Sequence, residues 1–185
     1  MGNNILVRGS PGSGKTILAM RVVEDLAGHG FKVAGFVTEE IREGKTRRGF
    51  RIRDLGGGEA VMAHVDFRGG PRVGKYTVDL KALEEVALRA MDKARGGADL
   101  VVIDEIGKME ALSAAFRERV VKLLDLPTAL LATIPTGEHP FVLSLLERRD
   151  VSVYDIDRRN RNKMKEVVEE DLLRILGHRR SPRMN

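Results

Sequence analysis

At 185 residues the chain is long enough for one domain with a sizeable core, and no apolar run approaches the ~20 residues of a membrane span. Cysteine is absent, which excludes disulfides, thiol catalysis and thiolate metal sites. Thirty-two Lys and Arg against 27 Asp and Glu leave a net charge of +5, which suits a polyanionic partner, but 4% aromatic residues and no Trp offer few stacking platforms for single-stranded nucleic acid.

Ile5-Leu6-Val7 predicts a first strand. Gly9-Ser10-Pro11-Gly12-Ser13-Gly14-Lys15-Thr16 follows, and apolar residues from Ile17 onward then recur at helical spacing. Strand, glycine-rich loop and helix in that order make a P-loop pattern. Glycines let backbone N–H groups ring phosphates with no Cβ in the way. The helix N-terminus adds partial positive charge. Lys15 is expected to reach the β- and γ-phosphates, and the Thr16 hydroxyl to bind Mg²⁺. The helix is expected from Lys15 to about Ala27, with Gly28 and Gly30 ending it.

Phe31 to Thr38 predicts a second strand. Ile41-Arg42, a turn at Glu43-Gly44-Lys45, and Gly49 to Leu55 read as an antiparallel hairpin, because Phe50 and Ile52 alternate with polar residues. Ala60 to Val65 adds a short strand to this insertion. Asp66 to Thr77, rich in Gly and Arg, is expected to be a loop. Leu80, Leu83, Ala87, Met91 and Ala94 recur at helical spacing with Asp79 as N-cap, and Gly96-Gly97 stops that helix.

Leu100-Val101-Val102-Ile103 is a continuous apolar run, as in a central parallel strand buried on both faces. It ends in Asp104-Glu105. Asp104 is expected to hold the Mg²⁺ shell opposite Thr16, and Glu105 to orient and polarise a water for attack on a γ-phosphate. Further along, Leu112, Phe116, Val120 and Leu123 mark a helix, Thr128 to Thr133 a strand, Phe141 to Leu146 a short helix, and Val151 to Ile156 the last strand. Met164 to Leu176 forms the final helix, closed by Gly177. Residues 1–177 are therefore expected to be one domain, and residues 178–185 a basic tail. Glycine, proline and charge follow the first short strand where a secretory signal would continue, so a cytoplasmic location is expected.

Gly9 to Thr16, then Asp104-Glu105-Ile106-Gly107-Lys108-Met109-Glu110, then Asn160-Arg161-Asn162 resemble the signatures of a nucleoside-triphosphatase family of thermophiles that also has a human cancer-related member. Gly35 to Glu40, Arg48-Gly49-Phe50 and Gly74 to Asp79 add lesser similarities. The resemblance runs from about Ile5 to Leu176. It implies an α/β, RecA-like P-loop NTPase fold: a mostly parallel central sheet, helices on both faces, an antiparallel hairpin insertion, and an extra strand between the P-loop and Asp104 strands. It implies Mg²⁺-dependent hydrolysis of ATP, GTP and other NTPs, and nucleotide binding by Gly9 to Thr16, by Leu100 to Gly107, and by Asn160 and Asn162. The third signature often ends in Asp, and Asn162 stands there instead. An amide both donates and accepts, which fits tolerance of several bases.

Lys108 either neutralises γ-phosphate charge or is a surface lysine at a helix start. Thr133 either senses the γ-phosphate or is an ordinary strand threonine. Arg47, Arg48, Arg72 and Arg161 are candidate cationic stabilisers of the transition state, with Arg161 favoured by its signature. The four histidines lack metal-ligand spacing. The clusters Arg158-Arg159-Arg161-Lys163 and His178-Arg179-Arg180-Arg183 read as solvated faces in preference to a nucleic-acid surface. Two rival functions use the same P-loop: a nucleotide or nucleoside kinase with its acceptor near Arg68 to Tyr76, and an NTP-gated nucleic-acid-binding module.

Overall fold

The computed structural model describes residues 2–180. β1 (Asn4–Arg8) is followed by α1 (Lys15–Gly28), β2 (Val33–Glu43), β3 (Thr46–Asp54), β4 (Glu59–His64), β5 (Arg72–Val73), β6 (Tyr76–Val78) and α2 (Leu80–Asp92). Then come β7 (Leu100–Asp104), α3 (Ala114–Leu124), β8 (Ala129–Ile134), α4 (Pro140–Leu146), β9 (Val151–Asp155) and α5 (Arg161–Arg180). The strands form one sheet in the order β5-β6-β4-β3-β2-β7-β8-β1-β9. From β2 to β9 along that order all neighbours are parallel, and from β2 outward to β5 all are antiparallel. The fold is therefore α/β, a parallel central sheet with an antiparallel extension, and β8 is the extra strand between β1 and β7.

The apolar runs make sense in this sheet. A strand points alternate side chains to opposite faces. In β7, Leu100 and Val102 join one core with α1 and α5, while Val101 and Ile103 join the other with α2, α3 and α4. β1 divides likewise, with Ile5 and Val7 on the first face and Leu6 on the second. Each such side chain stabilises by about 1.5–3 kcal/mol when taken fully out of water. The result is a rigid parallel centre whose strand ends carry the P-loop and Asp104. Two caps fix helix starts: Asp79 accepts from the Ala82 N–H and Ser113 from the Phe116 N–H, each at 3.0 Å.

Several stretches differ from the sequence reading. β2 runs on to Glu43, so one strand serves both the parallel centre and the hairpin. The loop expected over Asp66 to Thr77 contains the β5–β6 hairpin, whose strands of 2 and 3 residues are too short to show a period. Leu112 lies in a 3₁₀ turn, Glu110–Leu112, and is exposed, so α3 begins only after it. α5 continues through Gly177 to Arg180, and the rest of the expected tail lies outside the described residues. Among the described residues no helix is long and apolar enough to cross a membrane.

Candidate active site

Gly14 caps α1 with φ of 104°, a left-handed conformation that a side chain would strain. The loop before it is pulled tight: the Ser13 N–H donates to Ser10 O at 3.1 Å, and Gly9 N–H donates to Ile134 O at 3.2 Å. Lys15 is only 7% exposed, because its stem packs under the loop. Its Nζ donates to Gly9 O at 2.8 Å and Ser10 O at 3.3 Å, and lies 3.0 Å from Glu105 Oε2. Arg158 closes the outer side of the loop, its Nε 3.4 Å from Gly12 O.

β7 delivers Asp104 to the same place. Asp104 is fully buried, and Thr133 Oγ1 on the neighbouring β8 donates to its Oδ1 at 2.5 Å. Thr133 is thus a partner of Asp104, a pairing that becomes visible only once β7 and β8 are side by side. Asp104 Oδ2 is buried without a hydrogen-bond partner. Burial pushes the Asp104 carboxyl up to about 6, against the hydroxyls of Thr133 and Thr16 and the charge of Lys15, which lower it. A bound cation would reverse that balance. Among the described residues no three His, Asp or Glu side chains could hold a metal ion by themselves. Thr16 and Asp104 could hold a cation whose remaining ligands are phosphate and water oxygens.

A cleft of about 540 Å³ opens beside the P-loop, within the size range of small-molecule sites. Pro11, Gly12, Lys15 and Thr16 line one side, and Glu105, Gly107, Lys108 and Glu110 the base. The far wall comes from the antiparallel extension: Thr38, Glu39 and Glu40 of β2, Arg47 and Phe50 of β3, and Val73 of β5. Arg47 is held there by Glu40 at 2.6 Å, by Tyr76 OH at 2.9 Å, and over the Phe50 ring at 5.0 Å. Against the effect of burial, Arg47 and Arg42 hold the Glu40 carboxyl below its usual range. Lys108 lines the cleft. Glu110, 5% exposed, accepts the Gly107 N–H at 3.0 Å.

Several residues expected at the nucleotide lie outside the main cleft. Leu100, Val101, Val102, Ile103 and Ile106 have 1% exposure or less and pack in the cores, so they carry Asp104 and Glu105 rather than meet a ligand. The Asn160 amide is engaged by its own loop: Oδ1 accepts the Asp157 N–H at 2.8 Å and Nδ2 donates to Asp155 O at 3.1 Å. Arg161 does not join Glu105 and Lys108. It lies across Gly14 with Ile17, Arg21 and Asn162 in a separate crevice of about 80 Å³. Arg47 takes the place in the main cleft for which Arg161 was favoured. Arg48 instead pairs with Asp66 at 2.9 Å and Glu43 at 3.4 Å. Glu110 and Thr38 stand inside the motif strings and Arg158 in a basic cluster, but none is given a role at the site by the sequence reading, since they reach it through turns and pairing remote from the P-loop.

The family model described as NTPase matches residues 4–169. The chain is 44% identical over 160 residues to the nucleoside-triphosphatase THEP1 of Thermotoga maritima, covering 86% of this chain and 90% of that protein. The crystal structure of THEP1 from the hyperthermophile Aquifex aeolicus superimposes with a TM-score of 0.80 at 33% identity, over 94% of this chain and 98% of that one. The solution structure of a human cancer-related nucleoside triphosphatase gives 0.79 at 35% identity, over 91% and 96%.

Proposed function

Since the chain belongs to the nucleoside-triphosphatase family and is an enzyme of that kind, we propose that it hydrolyses ATP, GTP and other NTPs to the diphosphate and phosphate with the help of Mg²⁺. The observation that carries this reading is the 3.0 Å approach of Lys15 Nζ to Glu105 Oε2 at the base of the cleft. It brings a phosphate-binding cation and a water-polarising carboxylate to one point.

Hydrolysis forms a bond from the water oxygen to the γ-phosphorus and breaks the bond from that phosphorus to the bridging oxygen. Lys15 and the amides of Gly12 to Thr16 hold the β- and γ-oxygens and stabilise the charge that develops on them. The incoming γ-phosphate competes with Glu105 for Lys15, and Glu105, once released, is free to accept a hydrogen bond from water. Its carboxylate then orients that water in line and draws on its proton as the bond forms. Mg²⁺, held by Thr16 and Asp104, would neutralise charge on the phosphate oxygens. Thr133 keeps the Asp104 carboxyl turned toward Thr16.

ATP labelled at the γ-position tests the reading. Phosphate should appear without any acceptor. Label moving to an added nucleoside monophosphate would replace hydrolysis by kinase chemistry, and release that requires RNA would make the protein a nucleic-acid-gated module.

A further inference from the structure

Glu110 is a buried carboxyl that the reaction above leaves unused. Its Oε2 holds the Gly107 N–H at 3.0 Å, and Ala111 N–H donates to Gly107 O at 3.0 Å. The turn is also tied to the sheet, because the Ile106 N–H donates to Thr133 O at 2.8 Å. Gly107 lies between two carboxyl groups. A Cβ there would stand 2.9 Å from Glu110 Oε2 and 3.0 Å from Glu105 Oε1. Both carboxyls therefore converge on the same small volume, which only glycine leaves open.

We propose that Glu110 is a positioning residue for Glu105: by fastening the Gly107 amide it sets the direction in which the Glu105 carboxylate faces the cleft, a role that rests on the reading of Glu105 as the water-polarising group. It does this uncharged. The charged groups around it are Asp104 at the end of β7 and Glu105 just beyond it, Lys108 from the turn and Lys15 from α1, with Ser113 Oγ, close to Glu110 in the chain, donating to Glu84 of α2 at 2.6 Å. Lys15 is already engaged by Glu105. Burial, helped by the Glu105 and Asp104 charges, pushes the Glu110 carboxyl up to about 8. At neutral pH it keeps its proton and accepts the amide without adding a second negative charge beside Glu105.

The test compares the full chain with Glu110→Ala, Glu110→Gln and Glu105→Gln, measuring MgATP affinity, kcat and KM across pH. Glu110→Ala should lose roughly 10²-fold in kcat, as misplacement of a reacting group does, while MgATP affinity stays within about twofold. Glu110→Gln, which accepts the same N–H without charge, should retain kcat within about threefold. The parent kcat should fall as pH rises through about 8, and that fall should be missing in Glu110→Gln. Parent-like turnover in Glu110→Ala would overturn the proposal, and so would a Glu110→Gln as slow as the alanine variant. Binding and turnover lost together in Glu110→Ala would make Glu110 a support of the whole cleft and overturn it too. Parent-rate hydrolysis by Glu105→Gln would instead remove the reading of Glu105, and the proposal with it.

Discussion

Lys15 Nζ and Glu105 Oε2 lie 3.0 Å apart, one at the start of α1 and the other just beyond β7. The lysine side chain is nearly buried and the carboxylate partly open to the cleft. A surface pair of this kind would contribute about 0–1 kcal/mol. Here its consequence is chemical, since whatever takes Lys15 sets Glu105 free.

Lys15→Ala should therefore weaken MgATP binding and lower turnover by at least about 10²-fold, the loss seen when one preorganised donor to developing charge is removed. Titration calorimetry with MgATP and a phosphate-release assay check this. Unchanged phosphate release by the folded variant would contradict a phosphate-binding role for Lys15.

Base choice should be loose. The crevice holding Ile17 and Asn162 has about 80 Å³, well under the ~300 Å³ at which pockets begin to enclose small ligands. A base seated there stays largely in water and reads few hydrogen bonds. ATP and GTP should compete for one site with affinities within about tenfold, or roughly 1.4 kcal/mol. A preference of several hundredfold in competition binding would refute this.

Arg47 should matter where Arg48 does not. Arg47 faces the cleft, clamped by Glu40 and Tyr76, whereas Arg48 is engaged by Asp66 and Glu43. Arg47→Ala should reduce kcat by about tenfold or more if its charge reaches the transferred phosphoryl group, and Arg48→Ala should leave it within about twofold. Equal effects of the two substitutions would assign Arg47 to holding the hairpin.

The charge state of Glu110 has a readout independent of activity. Its carboxyl is raised by burial from an ordinary 4.5 to about 8, so the folded chain holds a proton that the unfolded chain releases. The stability this residue confers is complete below about pH 4.5 and is lost as pH rises through about 8. Melting temperatures of the parent and Glu110→Gln should diverge across that window, with the glutamine variant gaining at the alkaline end. Parallel curves would show that Glu110 is ionised throughout.

Local pattern revealed the parts of the molecule that are contiguous in the chain. The P-loop and the Leu100–Glu105 strand each hold their chemistry within a few residues, and both stand where spacing put them. The far wall of the cleft was not readable in this way. The hairpin itself is legible in its turn at Glu43-Gly44-Lys45, but not its place at the cleft: Arg47 and Phe50 reach it because β2 outruns β7 and folds back on β3. Thr133 reads as either a γ-phosphate sensor or an ordinary strand threonine, and its bond to Asp104 becomes visible only with β8 beside β7. Resemblance to a family signature suggests a nucleotide contact for Asn160 and a transition-state role for Arg161. Their loop uses Asn160 to shape itself and sends Arg161 to the crevice beside Asn162, away from Glu105 and Lys108.

Parallel measurement of MgATP affinity and single-turnover hydrolysis for Glu105→Gln tests most directly whether Glu105 polarises the attacking water. Glutamine keeps the size and hydrogen-bonding capacity of the side chain and removes its charge. Nucleotide should bind with at least the parent affinity, because Lys15 no longer has to leave a carboxylate, while hydrolysis should fall by roughly 10²–10⁴-fold. Hydrolysis at the parent rate would contradict that role and place the orientation of water elsewhere in the cleft.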